Sequence, residues 1–159
     1  MNEVERYTPL AASDAVTINA GMNDAWYNPA TNGQGFLITV FPDIGQLFLA
    51  WFTFDAERPP PSATAVLGEP GHRWLIAQGP YRGDTAELRL FVTRGGVFDR
   101  IEPIAETDPA GVGTLVLEFA DCSEGLVTYD IPGAGLSGEV PIQRVANDLV
   151  PLCEQLDGL

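Results

Sequence analysis

Residues 21–55 read GMNDAWYNPATNGQGFLITVFPDIGQLFLAWFTFD. Two apolar runs dominate this stretch, residues 36–41 and 47–54, joined by Pro42-Asp43-Ile44-Gly45-Gln46. Aromatic and β-branched side chains, alternation and a Gly/Asp/Pro connection together predict an antiparallel β-hairpin. In the first run Phe36, Ile38 and Val40 share one face, opposite Leu37, Thr39 and Phe41. In the second, Leu47, Leu49 and Trp51 oppose Phe48, Ala50, Phe52 and Phe54. Both faces are mostly apolar. One must fill a core, and the other is expected to be covered by something as well. The stretch holds two of the three Trp and five of the eight Phe, so it is the expected core nucleus.

Outward from this hairpin, short apolar runs alternate with Gly and Pro turns. Upstream, residues 1–13 read as a loose leader and 14–159 as a single β domain, with a short strand at 15–20 and a polar loop at 21–35. Downstream, Glu57-Arg58-Pro59-Pro60-Pro61 is a stiff connection, because Pro fixes φ and removes donors. Further strands are predicted at 63–67, at 72–78 with Gly79-Pro80 as the stop, and at 85–93. The last of these alternates Ala86, Leu88, Leu90 and Val92 inward with Glu87, Arg89 and Thr93 outward. Residues 101–111 read as an acidic loop. Strands follow at 112–119, 126–131 and 139–145, and residues 148–156 as a short helix or irregular segment. The fold class is therefore all-β: an antiparallel up-and-down barrel, or a barrel-like sandwich, of about eight to ten short strands with little helix. A chain of 159 residues suits one such domain.

Net charge is −14, and all eight basic residues are Arg. A field this negative repels phosphate backbones and anionic bilayers, so no nucleic-acid partner is expected. No apolar window approaches the ~18 residues that a spanning helix needs, so no membrane insertion is expected. The opening Met1-Asn2-Glu3-Val4-Glu5 is acidic and polar, without a signal-peptide pattern. Cys122 and Cys153 lack the close spacing of a CxxC site. They read either as two buried thiols or as one disulfide, and a disulfide implies an oxidising compartment.

Trp26-Tyr27-Asn28-Pro29, then Gly33-Gln34-Gly35-Phe36, then Trp51-Phe52-Thr53-Phe54-Asp55 resembles a pattern of bacterial, often secreted, all-β proteins with no settled activity. Residues 68–74, 95–99 and 119–122, together with Tyr129-Asp130 and residues 141–144, extend the resemblance over about residues 18–153. It implies a compact β module with a recurring Cys pair, hence a Cys122–Cys153 disulfide, located outside the cytoplasm as a secreted or periplasmic protein. It supplies no catalytic residue. The short Trp26-Tyr27-Asn28 segment is also similar to the first strand of avidin-type and lipocalin-type barrels, an analogy of architecture rather than of ligand.

Chemistry is sparse. His72 is the only histidine, and Ser62, Ser123 and Ser137 lie in no GxSxG elbow. One His cannot build a multi-His zinc site, and the Asn23, Asp24, Asn28 and Asn32 loop lacks the spacing of a calcium loop. No metal and no cofactor is expected. Paired carboxylates for a hydrolase are available among 22 acidic residues but none is singled out. The aromatic set reads as core packing or as a ligand platform. The candidate ligand-binding residues are Trp26, Tyr27, Asn28, Gln34, Trp51, Arg73, Trp74 and Gln78. Trp26 is expected near Trp51, closing one end of the barrel. These residues favour a binding or interaction module for a glycan or a protein partner. An accessory domain without a small ligand and a carboxylate hydrolase are the alternatives.

Overall fold

The computed structural model describes residues 16–159; the expected leader lies outside the described residues, as does Ala15. Eight antiparallel strands close into a barrel. They are β1 (Asp24–Tyr27), β2 (Gly35–Phe41), β3 (Gln46–Phe54), β4 (His72–Arg82), β5 (Thr85–Phe91), β8 (Gly113–Phe119), β9 (Glu124–Ile131) and β10 (Leu136–Arg144). Each strand pairs with its neighbours in the chain, and β10 pairs with β1 to close the circle. Between β5 and β8 the chain leaves the barrel to form a small two-stranded sheet, β6 (Thr93–Arg94) with β7 (Glu106–Thr107). One short helix, α1 (Val150–Leu156), follows the barrel. The expected antiparallel barrel with little helix is what forms.

The founding hairpin forms as predicted, and its register sets Phe36 opposite Trp51 and Ile38 opposite Leu49. Its turn is a 3-10 segment, Pro42–Ile44, ended by Gly45 in the left-handed region at φ 63°. The β9–β10 hairpin repeats the device with Pro132–Ala134 and Gly135 at φ 64°. Pro presets the first turn residue, and Gly takes the positive φ that other residues disfavour.

Period-two alternation sends Leu47, Leu49, Leu88, Leu90, Leu115, Leu117 and Val127 into the barrel, all buried. Toward the end where β2 begins, the filling is aromatic. Phe36 stacks on Trp51 with centroids 5.2 Å apart, and Trp51 meets Tyr129 at 5.1 Å. Phe36 separates Trp26 from Trp51 in the sheet, so those two Trp are neighbours once removed.

The other end is sealed. Trp26 is 1% exposed, its Nε1 donates to the Met22 carbonyl at 3.0 Å, and its ring tilts against Phe119 at 5.1 Å. The Arg144 guanidinium lies 4.5 Å from the Trp26 ring centroid. Arg144 also donates to the Cys122 carbonyl at 2.6 Å, to the Gly21 carbonyl at 2.9 Å and to the Asp24 carboxylate at 2.9 Å. The Cys122–Cys153 disulfide is present, with Cα atoms 5.8 Å apart, and ties the β8–β9 turn to α1. A Cβ on Gly21 would overlap the Cys153 backbone, so only glycine lets α1 seat this closely.

Four expectations need correction. Residues 16–19 form no strand; Asn19 instead caps a 3-10 turn, Ala20–Met22, by accepting from the Gly21 N–H. The loop expected at 21–35 contains β1, which supplies the closing strand. Residues 63–67 form no strand either, because β3 and β4 already pair directly along nine positions and leave them no partner. Gly79-Pro80 does not end β4. Pro80 still opposes Gln46 on β3, and β4 resumes its pairing with β5 at Tyr81.

The disulfide closes a loop of 31 residues of sequence separation, so replacing both cysteines by Ser should lower stability by roughly 3–4 kcal/mol. Urea unfolding of the double variant measures this. A loss below about 1 kcal/mol would mean that the tie constrains little in the unfolded chain.

Candidate functional site: an uncharged outer wall

The barrel divides the eight residues singled out from sequence into three places. Trp26 and Trp51 point inward and are buried, at 1% and 9% exposure. Asn28, Gln34 and Arg73 sit at the open rim, each already engaged. Asn28 accepts from the Ala30 N–H at 3.0 Å, Gln34 accepts from the Thr53 hydroxyl at 2.6 Å, and Arg73 pairs with Asp55 at 2.7 Å. Tyr27, Trp74 and Gln78 lie on the outward positions of β1 and β4. Only these last three share a surface.

That surface is built from the second apolar face of the founding hairpin. Strand pairing places its residues in rows across the barrel wall. Gly35, Phe52 and Trp74 form one row, and a Cβ on Gly35 would lie 3.5 Å from the Tyr27 Cβ, so Tyr27 flanks the same row. The next row is Ala25, Leu37, Ala50, Ile76 and Phe91. Beyond it come Thr39, Phe48 and Gln78, then Phe41, Gln46 and Pro80. Phe54 opposes His72 at the rim, with rings 5.4 Å apart. Phe52 is 47% exposed and Trp74 50%; Leu37, Phe41 and Phe54 are similarly half-exposed.

Charge separates this wall from the rest of the barrel. No Asp, Glu or Arg occupies an outward position of β1–β4 before Arg82, the last residue of β4. The opposite wall carries Glu87, Arg89, Glu118, Glu124, Asp130 and Glu139 on exposed positions of β5 and β8–β10. In a chain of net charge −14, four neighbouring strands of the eight present no carboxylate on their outward positions. Large apolar side chains present roughly 150–250 Å² each, so five of them half-exposed leave on the order of 450 Å² of apolar surface. That is the size of the largest apolar patch on a typical monomer, which is often functional.

Sequence reasoning anticipated that the outer face of the hairpin would be covered, yet it did not single out Leu37 or Phe52. Their signal was parity: they alternate with Phe36 and Trp51, which fill the core. Other exposed apolar residues lie on the rim loops, including Phe98, Ile101 and Ile104, but Asp99, Arg100 and Glu102 are interspersed with them. A shallow hollow of about 680 Å³ lies beneath the Pro-rich connection, lined by Asp55, Arg58, Pro59, Pro60 and Arg73. Among the described residues no three His, Cys, Asp or Glu side chains converge as a metal site. No helix among them is long and apolar enough to cross a membrane. The barrel has an apolar inside and charges on its outer face, the reverse of a membrane-spanning barrel. Comparisons with protein-family models, curated proteins and solved structures find no match to this chain.

Because Trp26 and Trp51 are enclosed and Trp74 faces solvent, acrylamide should quench a single component of the tryptophan emission. Trp74→Phe should remove that component and leave an emission that resists quenching. If substantial quenching persisted in the Trp74→Phe protein, the assignment of inner and outer faces would be wrong.

Proposed function

We propose that this chain is a non-catalytic binding module that acts outside the cytoplasm and takes a protein partner on its uncharged wall. The observation carrying this reading is the wall itself: a contiguous half-exposed aromatic and aliphatic surface without carboxylates, on a chain of net charge −14. Partner-binding surfaces combine a charge-depleted, aromatic-rich centre with an uncharged or polar surround. Here Phe52, Trp74 and Leu37 make the centre, and Tyr27, Thr39, Gln46 and Gln78 surround it. The filled barrel supports the same reading. Phe36, Trp51 and Tyr129 occupy the space where a ligand-carrying barrel would hold its cargo. The disulfide fits an oxidising compartment. The resemblance drawn from the Trp26, Gly35 and Trp51 motifs points to the same setting.

A glycan is the second reading, favoured by the row of Tyr27, Gly35, Phe52 and Trp74, in which rings flank a gap the width of one strand. Sugar recognition also needs free polar groups beside the stacking rings. Of the nearest candidates, the Asn28 and Gln34 amide oxygens and the Arg73 guanidinium already bond within the protein, so only part of their polar capacity faces outward. This favours the protein partner.

A photo-reactive benzoylphenylalanine placed at Trp74, and separately at Glu118 on the opposite wall, tests the proposal in the producing cell. Position 74 should yield a defined protein adduct and position 118 should not. Equal labelling at both positions, or none at 74 together with a specific glycan-array hit, would overturn the protein-partner reading.

A further inference from the structure

We infer that the partner on this wall is a second copy of the same chain, the two barrels facing each other across a twofold axis over β3 and β4. The inference rests on the reading of the wall as a docking surface and adds its occupant.

The argument is one of self-compatibility. In a twofold dimer the same patch meets itself, so groups on the axis face their own copies and a patch of one net sign meets its own sign. Two bodies of net charge −14 repel. A contact through β5 and β8–β10 would bring Glu87, Glu118, Glu124, Asp130 and Glu139, with Arg89 the one basic group on outward positions there, against the same predominantly acidic set. The β1–β4 wall is the one barrel face whose outward positions carry no such group short of Arg82. Docking there also turns both acidic walls outward, separated by the width of two barrels, well beyond the ~8 Å over which physiological salt screens them.

Area and composition agree. The five half-exposed apolar side chains of the wall, on the order of 450 Å² together, supply about half of the ~800 Å² per partner of a standard interface, and Thr39, Gln46 and Gln78 add to it. A hydrophobic centre with few charges is the composition of homodimer interfaces. In this arrangement the Phe52–Trp74 pair of one copy packs on the same pair of the other, as two sheet faces do at about 10 Å separation.

Sedimentation equilibrium of the purified chain, over a wide concentration range, tests the inference. Wild type should approach twice the 17.1 kDa chain mass as concentration rises. Raising the salt should strengthen the dimer, because the copies share one sign of charge. Trp74→Ala should weaken it by about 30-fold or more, as for a central aromatic anchor. Phe52→Glu, which sets carboxylate against carboxylate at the axis, should leave a monomer with wild-type circular dichroism. If Phe52→Glu fails to fold, Trp74→Ala alone decides. A wild type that stays at the single-chain mass throughout overturns the inference, as does a dimer indifferent to the substitutions or weakened by salt. The two readings fail separately. A monomer whose position 74 still crosslinks to a different protein keeps the wall as a binding surface and rejects the second copy. A monomer without an adduct rejects both.

Discussion

Arg144 is the group on which the closure of this barrel depends. The seam between β1 and β10 is short, two residue pairs against eight between β9 and β10. Backbone pairing alone gives it little strength. Arg144 sits in that seam with its side chain 1% exposed. Burying a guanidinium costs several kcal/mol unless its donors are satisfied. Here they reach Asp24 on β1, the carbonyl of Gly21 in the 3-10 turn and that of Cys122 in the β8–β9 turn, while its plane covers the indole of Trp26. One side chain thus ties together three segments distant in sequence: residues 21–26, the β8–β9 turn and β10. The disulfide adds a second tie, from Cys122 to α1, on the same end.

A barrel sealed in this way and filled by Phe36, Trp51 and Tyr129 cannot serve as a container. Its functional surface has to be outside or on the rim. At the rim Asn28, Gln34 and Arg73 are engaged in internal bonds, the apolar residues of the 97–104 loop are interleaved with charges, and exposed Val66 and Leu67 form only a two-residue apolar spot. What remains is the β1–β4 wall, whose exposed rings would lower the free energy of any contact that covers them. On the proposed reading, fold and recognition are two uses of one hairpin. One face of β2 and β3 makes the core, and the other makes the wall.

The strongly alternating strands were legible in the sequence because period-two patterning is local: residues 36–41, 47–54 and 85–91 reveal both their faces without any partner. β1 was not, since Asp24-Ala25-Trp26-Tyr27 is too short to show a period within a polar loop, and its pairing with β10 spans the chain. The apolar run Ala65-Val66-Leu67 misled for the complementary reason: local propensity cannot show that β3 and β4 leave no vacancy between them. Parity assigns most of the candidate site residues. Trp51 shares a face with the buried Leu49 and Trp74 alternates with the buried Leu75, whereas Trp26, whose face-mate is Asp24, gets no such assignment. Arg144 shares parity with Ile142 in a strand that includes a Pro, a signal for an inward Arg that a reading of isolated residue types passes over. The wall's lack of charge was equally present in the sequence, but it acquires meaning only once four strands are laid side by side.

The central claim, that the tryptophans of this chain split between an inner plug and an outer contact surface, is tested most directly by urea unfolding of Trp26→Ala beside Trp74→Ala. The account predicts a loss of roughly 3–5 kcal/mol for Trp26→Ala, the cost of removing a buried aromatic. For Trp74→Ala, measured where the chain is monomeric, it predicts a loss below about 1 kcal/mol. A Trp26→Ala protein within about 0.5 kcal/mol of wild type would contradict it, because a substitution that mild belongs to the surface.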